Sequence, residues 1–446
     1  MEALINTVQN LPRVTRFGRV ARMEGLLIEV TGAAGAIGLG GRLKIAGGTG
    51  TETPCEVVGF RDGRALAMPF GQLDGVALGA RATFEERINA IHPSGAWLGR
   101  VLDAFAHPID GKGALAQGLE AYPLRAAPPA AHTRARIGGK LDLGVRALNT
   151  FVTCCKGQRM GVFSGSGVGK SILLGMLARN TDADVIVIAL VGERGRELKE
   201  FIEDDLGPEG LKRSVVVAAT SDEAPLLRRQ AAYVAMSTAE YFRDQGLHVL
   251  LLMDSVTRFA MAQREIGLSA GEPPAAKGYT PTVFAELPRL LERAGPGREG
   301  SRGSITGLFA VLVEGDDHNE PISDAVRGIL DGHIILDRAI AERGRYPAIN
   351  VLKSLSRAMP QCNSAAEQSM VAKARAELST YDDMAELIRL GAYRVGTNSE
   401  VDRAIQLYTP LEAFLTQKKD EGANLPSGYA ALNKILEGSV GKGKTR

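Results

Sequence analysis

The chain has 446 residues, 45% of them hydrophobic and 23% charged, which is enough apolar material for a folded core and excludes global disorder. At roughly 150 residues per domain, that length suggests about three domains. Lys and Arg number 53 against 51 Asp and Glu, a net charge of +2, so the chain has no general attraction to nucleic acid or acidic lipid.

In chain order, residues 1–11 pattern as a short amphipathic helix. Leu4, Val8 and Leu11 share a face, Ile5 stands beside them, and Pro12 ends the run. This start lacks the basic and apolar blocks of a secretory signal, and no run of about 18 apolar residues reads as a membrane span. Residues 16–90 read as short strands: GRVARMEGLLIEVTG, GRLKI, CEVVGF, RALAMPF and ARATF, separated by glycine-containing turns. Their spacing suits a small all-β barrel or sandwich. The Pro/Ala-rich stretch from Arg125 to Arg136 reads as a connecting loop.

From Gln158 onward the pattern changes. RMGVFSG, ADVIVIALVG, SVVVAATS, HVLLLMD, ITGLFAVLVEG and GHIILD are apolar runs that read as buried strands, and 171–180 and 225–244 read as helices between them. That alternation predicts a mostly parallel sheet covered on both faces. After about Ala376 only helical periodicity remains, up to a frayed basic end, GKGKTR. The expected division is 1–15, an amphipathic segment; 16–93, a β domain; 94–373, an α/β domain; and 374–446, a helical domain. The four cysteines form no CxxC, so neither a zinc site nor a disulfide framework is expected.

Chemistry concentrates in the middle. SGSGVGKS, Ser164 to Ser171, follows a strand and opens a helix, the setting of a P-loop. The backbone N–H groups of Gly165, Ser166, Gly167, Val168 and Gly169 can curl around phosphate oxygens at a positive helix N-terminus. Lys170 then reaches the β- and γ-phosphates, and the Ser171 hydroxyl can ligate Mg²⁺. The general pattern has glycine where Ser164 stands. Asp254 ends HVLLLMD as a Walker-B-like acid, suited to holding Mg²⁺ through water. In VGERGRE, Glu193 is a candidate to polarise the attacking water, with Arg194 near the phosphate; the spacing equally allows a solvated loop of charge pairs. Tyr346 could offer adenine a flat surface and Arg357 could serve as an arginine finger, though neither position is specific by itself.

Five segments carry a family resemblance: SGSGVGKS, ALVGERGRELKEFIE, AEYFRDQGLHVLLLMDSVTRFAMAQRE, GEPPAAKGYTP and RYPAINVLKSLSRAMP. They resemble the flagellum-specific export ATPases of the bacterial type III secretion apparatus, relatives of the catalytic subunits of rotary ATP synthases. The likeness spans nearly the whole chain and is densest from about Leu141 to Pro360. It implies an N-terminal β-barrel, a RecA-like P-loop α/β domain and a C-terminal helical domain, assembled as a homohexamer that hydrolyses Mg-ATP. It further implies that Glu193 is the catalytic glutamate, Asp254 the Walker B acid, Tyr346 the adenine-stacking ring and Arg357 the arginine that reaches a neighbouring subunit. The partners it implies are a regulatory stator-like dimer at the N-terminal helix, a central stalk protein, the export gate, chaperones and flagellar export substrates. The implied location is cytoplasmic, beneath the flagellar basal body at the inner face of the membrane, with at most peripheral membrane association.

Four other readings compete. An injectisome ATPase differs only in detail. A rotary synthase catalytic subunit would carry a DELSEED-like acidic stretch where RLGAYRVGTNSEVDRA stands. A noncatalytic ring subunit would lack Glu193. An RNA-translocating helicase would need basic–aromatic RNA motifs that the charge balance and the 5% aromatic content do not supply.

Overall fold

The computed structural model describes residues 15–438 apart from 49, 86–88, 314 and 316–319. The expected helix over 1–11 and the GKGKTR end lie outside the described residues.

Six strands form the first unit: β1 (Phe17–Glu24), β2 (Leu27–Thr31), β3 (Arg42–Ala46), β4 (Glu52–Arg61), β5 (Arg64–Pro69) and β6 (Arg81–Phe84). They close into a barrel of order β1-β2-β5-β4-β3-β6, which leaves no open edge. The alternation in sequence is the alternation in space. In β3, Leu43 and Ile45 are buried inside while Lys44 faces out. The barrel is fastened to the next unit by buried charge: Glu56 Oε1 accepts from Arg229 Nη2 at 2.7 Å and from Arg125 Nη2 at 3.1 Å.

In the second unit β7 (Ala90–Ile91) pairs with β9 (Tyr122–Pro123). The main sheet is built from β8 (Arg100–Leu102), β10 (Arg159–Ser164), β11 (Val185–Glu193), β12 (Ser214–Thr220), β13 (His248–Asp254), β15 (Ser304–Leu312), β16 (Gly332–Leu336) and β17 (Leu355–Ser356), with β14 (Gly295–Pro296) paired antiparallel to β15. Its order is β17-β16-β10-β15-β13-β11-β12-β8. The strands from β16 to β8 run parallel, and β17 adds an antiparallel edge. Both faces of the sheet are covered, which is why strands such as VIVIALV are apolar without alternation. Val187 and Leu251 pack on one side, Ile186 and Ile188 on the other. The edge strand β8 escaped the sequence reading, because three residues hold no measurable periodicity.

The last unit comprises the helices Ala365–Arg389, Ser399–Leu415 and Leu425–Gly438. Ser364 and Glu367 form a reciprocal capping box at the first, and Asn398 caps the second through Glu400 N and Val401 N. The first helix runs through the boundary expected at 373/374, so the helical unit begins at its cap, Ser364. Its core is not separate: Leu407, Leu411, Phe414 and Leu432 share one apolar cluster with Leu148, Phe151 and Leu177 of the sheet unit. No described helix is long and apolar enough to cross a membrane.

Candidate active site

Parallel strands deliver their C-terminal ends to one edge, where open α/β sheets bind ligands. β10 ends there at Ser164, and the loop Gly165–Gly169 leads into the helix Lys170–Asn180. Gly167 and Gly169 adopt φ of 76° and 90°, values an L side chain resists. Ser164 carries no such demand. It is still in the strand and fully buried, so the departure from the P-loop pattern costs the loop nothing in backbone freedom. Ser166 and Gly167 are exposed at the loop tip, leaving the backbone open to an anion.

The charges meet behind this loop. In the β11–β13 register Leu190 stands beside Asp254, so Glu193 projects just beyond the Asp254 carboxylate. The Lys170 ammonium hydrogen-bonds Asp254 and lies 3.7 Å from Glu193 Oε1. Asp254 is buried. Burial, then repulsion from Asp254, push the Glu193 carboxyl up to about 7, against the pull of Lys170. Glu197 is held below its usual range, against burial, by its interactions with Glu193 and Arg194. Arg194 itself is exposed and bonds Glu197 at 3.1 Å; the structure does not bring it onto Lys170 or Asp254.

Ser171 is exposed in the first turn of the helix. The hydroxyl of Ser171 and the carboxylate of Asp254 are hard oxygen donors. Such donors suit Mg²⁺, which commonly takes one or two protein oxygens plus phosphates and water.

Tyr346 lies against the P-loop: a Cβ added at Gly169 would stand 3.3 Å from Tyr346 Cδ1 and Cε1. Tyr346 is 42% exposed. Its position is held from a distance by groups the sequence reading missed. Gln417 N donates to Tyr346 O at 2.9 Å, and Gln417 Nε2 donates to Gly144 O at 2.8 Å. Arg338 Nη2 donates to Ser166 O at 3.2 Å. The stem of Arg258 packs under Gly192, whose added Cβ would meet Arg258 Cβ at 3.0 Å. Nothing in the local sequence marks these contacts, which arise between segments far apart in the chain.

Arg357 stands elsewhere. It is exposed just past β17, and its N donates to Asp331 O at 3.0 Å. Asp331 in turn bonds Arg159, the first residue of β10. Ser164 lies five residues further on, about 16 Å along the strand at the usual rise. The Arg357 side chain is therefore out of reach of its own chain's P-loop.

Residues 144–356 match the ATP synthase alpha/beta family, nucleotide-binding domain, and residues 363–434 match the T3SS EscN ATPase C-terminal domain. A flagellum-specific ATP synthase of Caulobacter vibrioides is 57% identical over 98% of this chain and 99% of its own. One of Bacillus subtilis is 50% identical over 97% and 98%. A type 3 secretion system ATPase of Xanthomonas euvesicatoria is 48% identical over 95% and 94%. Among solved structures, the assembled ATPase EscN from the enteropathogenic E. coli type III secretion system superposes with a TM-score of 0.86 at 37% identity, covering 94% of this chain and 100% of that one. The same ATPase in complex with its central stalk EscO gives 0.85.

Proposed function

The chain belongs to the family of flagellum-specific ATP synthases and type III secretion ATPases, and we propose that it hydrolyses ATP to ADP and phosphate to energise export of flagellar proteins. The observation that carries the chemistry is the convergence of Lys170, Glu193 and Asp254 behind the glycine loop. The loop N–H groups of Gly165 to Gly169 bind the phosphates, and Lys170 turns from the two carboxylates to the β- and γ-phosphates. Loss of that ammonium from its side frees Glu193 to orient and polarise the attacking water. Mg²⁺ held by Ser171 and, through water, Asp254 would neutralise charge on the phosphates. Tyr346, exposed beside the P-loop, receives adenine on its ring.

The site is completed across an interface. Arg357 lies too far from its own P-loop to serve it, so in a homohexamer it would meet the γ-phosphate bound by a neighbour, where charge develops in the transition state. A central stalk is the proposed partner of the ring, in line with the stalk complex of EscN. The stator-like dimer, export gate, chaperones and export substrates complete the proposed set, with the ring in the cytoplasm at the inner face of the membrane. The flagellar reading is preferred over the injectisome because the relatives at 57% and 50% identity are flagellar. The experiment is gene deletion scored for swimming and for secreted filament protein, beside ATPase assays on the purified protein. Loss of both phenotypes with measurable turnover is expected. Normal motility would remove the flagellar role and leave the ATPase.

A further inference from the structure

The tip of the phosphate loop, Ser166 and Gly167, is exposed, yet one of its carbonyls is engaged from a neighbouring segment. Arg338 Nη2 donates to Ser166 O at 3.2 Å. Sheet register brings the two together. β16 and β10 run parallel with Leu336 beside Ser164, and Arg338 and Ser166 each stand two residues beyond that pair. The backbone that carries the arginine is itself fixed. Asp337 caps the helix Arg338–Glu342 by accepting from Ala339 N at 3.0 Å. Its other oxygen accepts from Asn350 Nδ2 at 3.0 Å and from Lys353 Nζ at 3.1 Å, and Asp337 N donates to Ala348 O at 2.9 Å.

A peptide plane ties that carbonyl to the next N–H. The Ser166–Gly167 peptide is trans, and in a trans peptide the C=O of one residue and the N–H of the next point in opposite directions. With its C=O turned to Arg338, this unit aims the Gly167 N–H away from Arg338. No hydrogen bond between described residues takes that N–H up. Gly167 has φ of 76° and no Cβ, so sterics alone leave the plane free to turn over. Without a hold on the carbonyl, the plane would have to be ordered again at each binding event, at the expense of affinity.

We propose that Arg338 is a positioning residue that latches the Ser166–Gly167 peptide and so presets the Gly167 N–H toward a phosphate oxygen of the bound nucleotide. The proposal rests on the nucleotide reading of this site and adds to it the group that holds the loop ready. Arg338 acts through the peptide and does not itself touch the phosphates. A loop ordered in advance favours bound nucleotide in the ground state and the transition state alike, so loss of the latch raises KM for ATP and leaves kcat in place. Tyr346 lies eight residues further along the same segment, which gives an internal control: adenosine, lacking phosphates, should not feel the latch.

The test measures the affinity of the full-length protein for a ribose-labelled fluorescent ATP, with adenosine as competitor, beside KM and kcat for ATP. Arg338→Met removes the donor and keeps the bulk. It should weaken binding of the labelled ATP and raise KM by about threefold to tenfold, the range of one hydrogen bond. Its kcat, its affinity for adenosine and its melting temperature should stay with those of the unsubstituted chain, since Arg338 is exposed. Arg338→Lys, a charged donor, and Arg338→Gln, a donor without charge, should each recover most of the loss. If Arg338→Gln falls with Arg338→Met while Arg338→Lys holds, the charge acts on the nucleotide directly and the latch is overturned. An adenosine affinity that falls in step with that for ATP overturns it too, and makes Arg338 a support of the Tyr346 segment. Arg338→Met binding like the unsubstituted chain removes the latch and leaves the nucleotide reading intact, whereas an unsubstituted chain that binds no labelled ATP removes both.

Discussion

Two regions of one sheet handle charge in opposite ways. At the C-terminal strand ends, Lys170, Asp254 and Glu193 answer one another within a single chain, the lysine bonded to one acid and 3.7 Å from the other. At the far corner, Arg357 is anchored by its main chain alone; among the described residues its guanidinium makes no ion pair or hydrogen bond. On the proposed reading, the compensated, half-buried cluster is a binding half-site that needs only its ligand, and the exposed arginine on the edge, with its backbone fixed, is the half that serves another subunit. Substitution should therefore disturb the first region in both stability and activity, and the second in activity only.

The largest effect is expected at Lys170. Lys170→Ala should bring ATP turnover to background. Measured without nucleotide, it should also lower stability, because Asp254 is buried and loses its counter-charge; breaking such a pair costs on the order of 3 kcal/mol. Calorimetric melting of the nucleotide-free variant checks this, and a melting temperature equal to that of the unsubstituted chain would break the comparison.

Next is Arg357→Ala, expected to cost about 10³–10⁵-fold in turnover, the range of an arginine finger acting in trans. Its melting temperature should not move. Mixing it with Lys170→Ala should restore part of the turnover, since some interfaces then pair an intact P-loop with an intact Arg357. Mixed rings, verified by light scattering, that recover nothing at any ratio would place the arginine's role within its own chain.

Glu193→Gln should bind ATP yet lose about 10²–10⁴-fold in hydrolysis, the worth of a positioned base. The raised carboxyl gives a pH signature. Between its ordinary 4.5 and about 7 the folded chain holds a proton that the unfolded chain has released, so the stability from this group declines as pH rises through that window. As a base in the free enzyme it is competent only when ionised, so kcat/KM should rise with pH through about 7. Glu193→Gln should lose both slopes, and a variant that keeps the rise in kcat/KM would move the base elsewhere, with Glu197 the next carboxylate to test.

The smallest effect belongs to Tyr346. Stacking is worth about 0.5–1.5 kcal/mol beyond buried area, so Tyr346→Ala should raise KM for ATP roughly twofold to tenfold and leave kcat nearly unchanged. Tyr346→Phe should behave like the parent. A fall in kcat instead would mean that the ring shapes the P-loop through its contact with Gly169.

Local pattern accounts for most of what could be anticipated. Leu43–Lys44–Ile45 reads as a half-buried strand because side chains alternate with period two. HVLLLMD reads as a buried strand ending in an acid because apolar runs are tolerated only where both faces are covered. SGSGVGKS announces its turn through the φ values that Gly167 and Gly169 alone accept cheaply. The sequence suggests a boundary at 374, whereas the helix there runs unbroken from Ala365 to Arg389.

Residue types, their order and their short-range spacing thus suffice for the short β-strands of the first unit, the parallel sheet, the phosphate loop and the Walker-B-like acid, because each is governed by backbone geometry within a few residues, whereas barrel or sandwich was decided only by the pairing of β1 with β6. Whether Glu193 was a base or one charge in a solvated loop could not be read that way. Its answer depends on burial, on Asp254 from another strand and on Lys170 from a helix, all brought together by the register of β10, β11 and β13. The same is true of the Gln417 hold on Tyr346 and of the distance that separates Arg357 from its own P-loop. Electrostatic and packing energies depend on distance in space, and across hundreds of residues that distance exists only once the chain has folded.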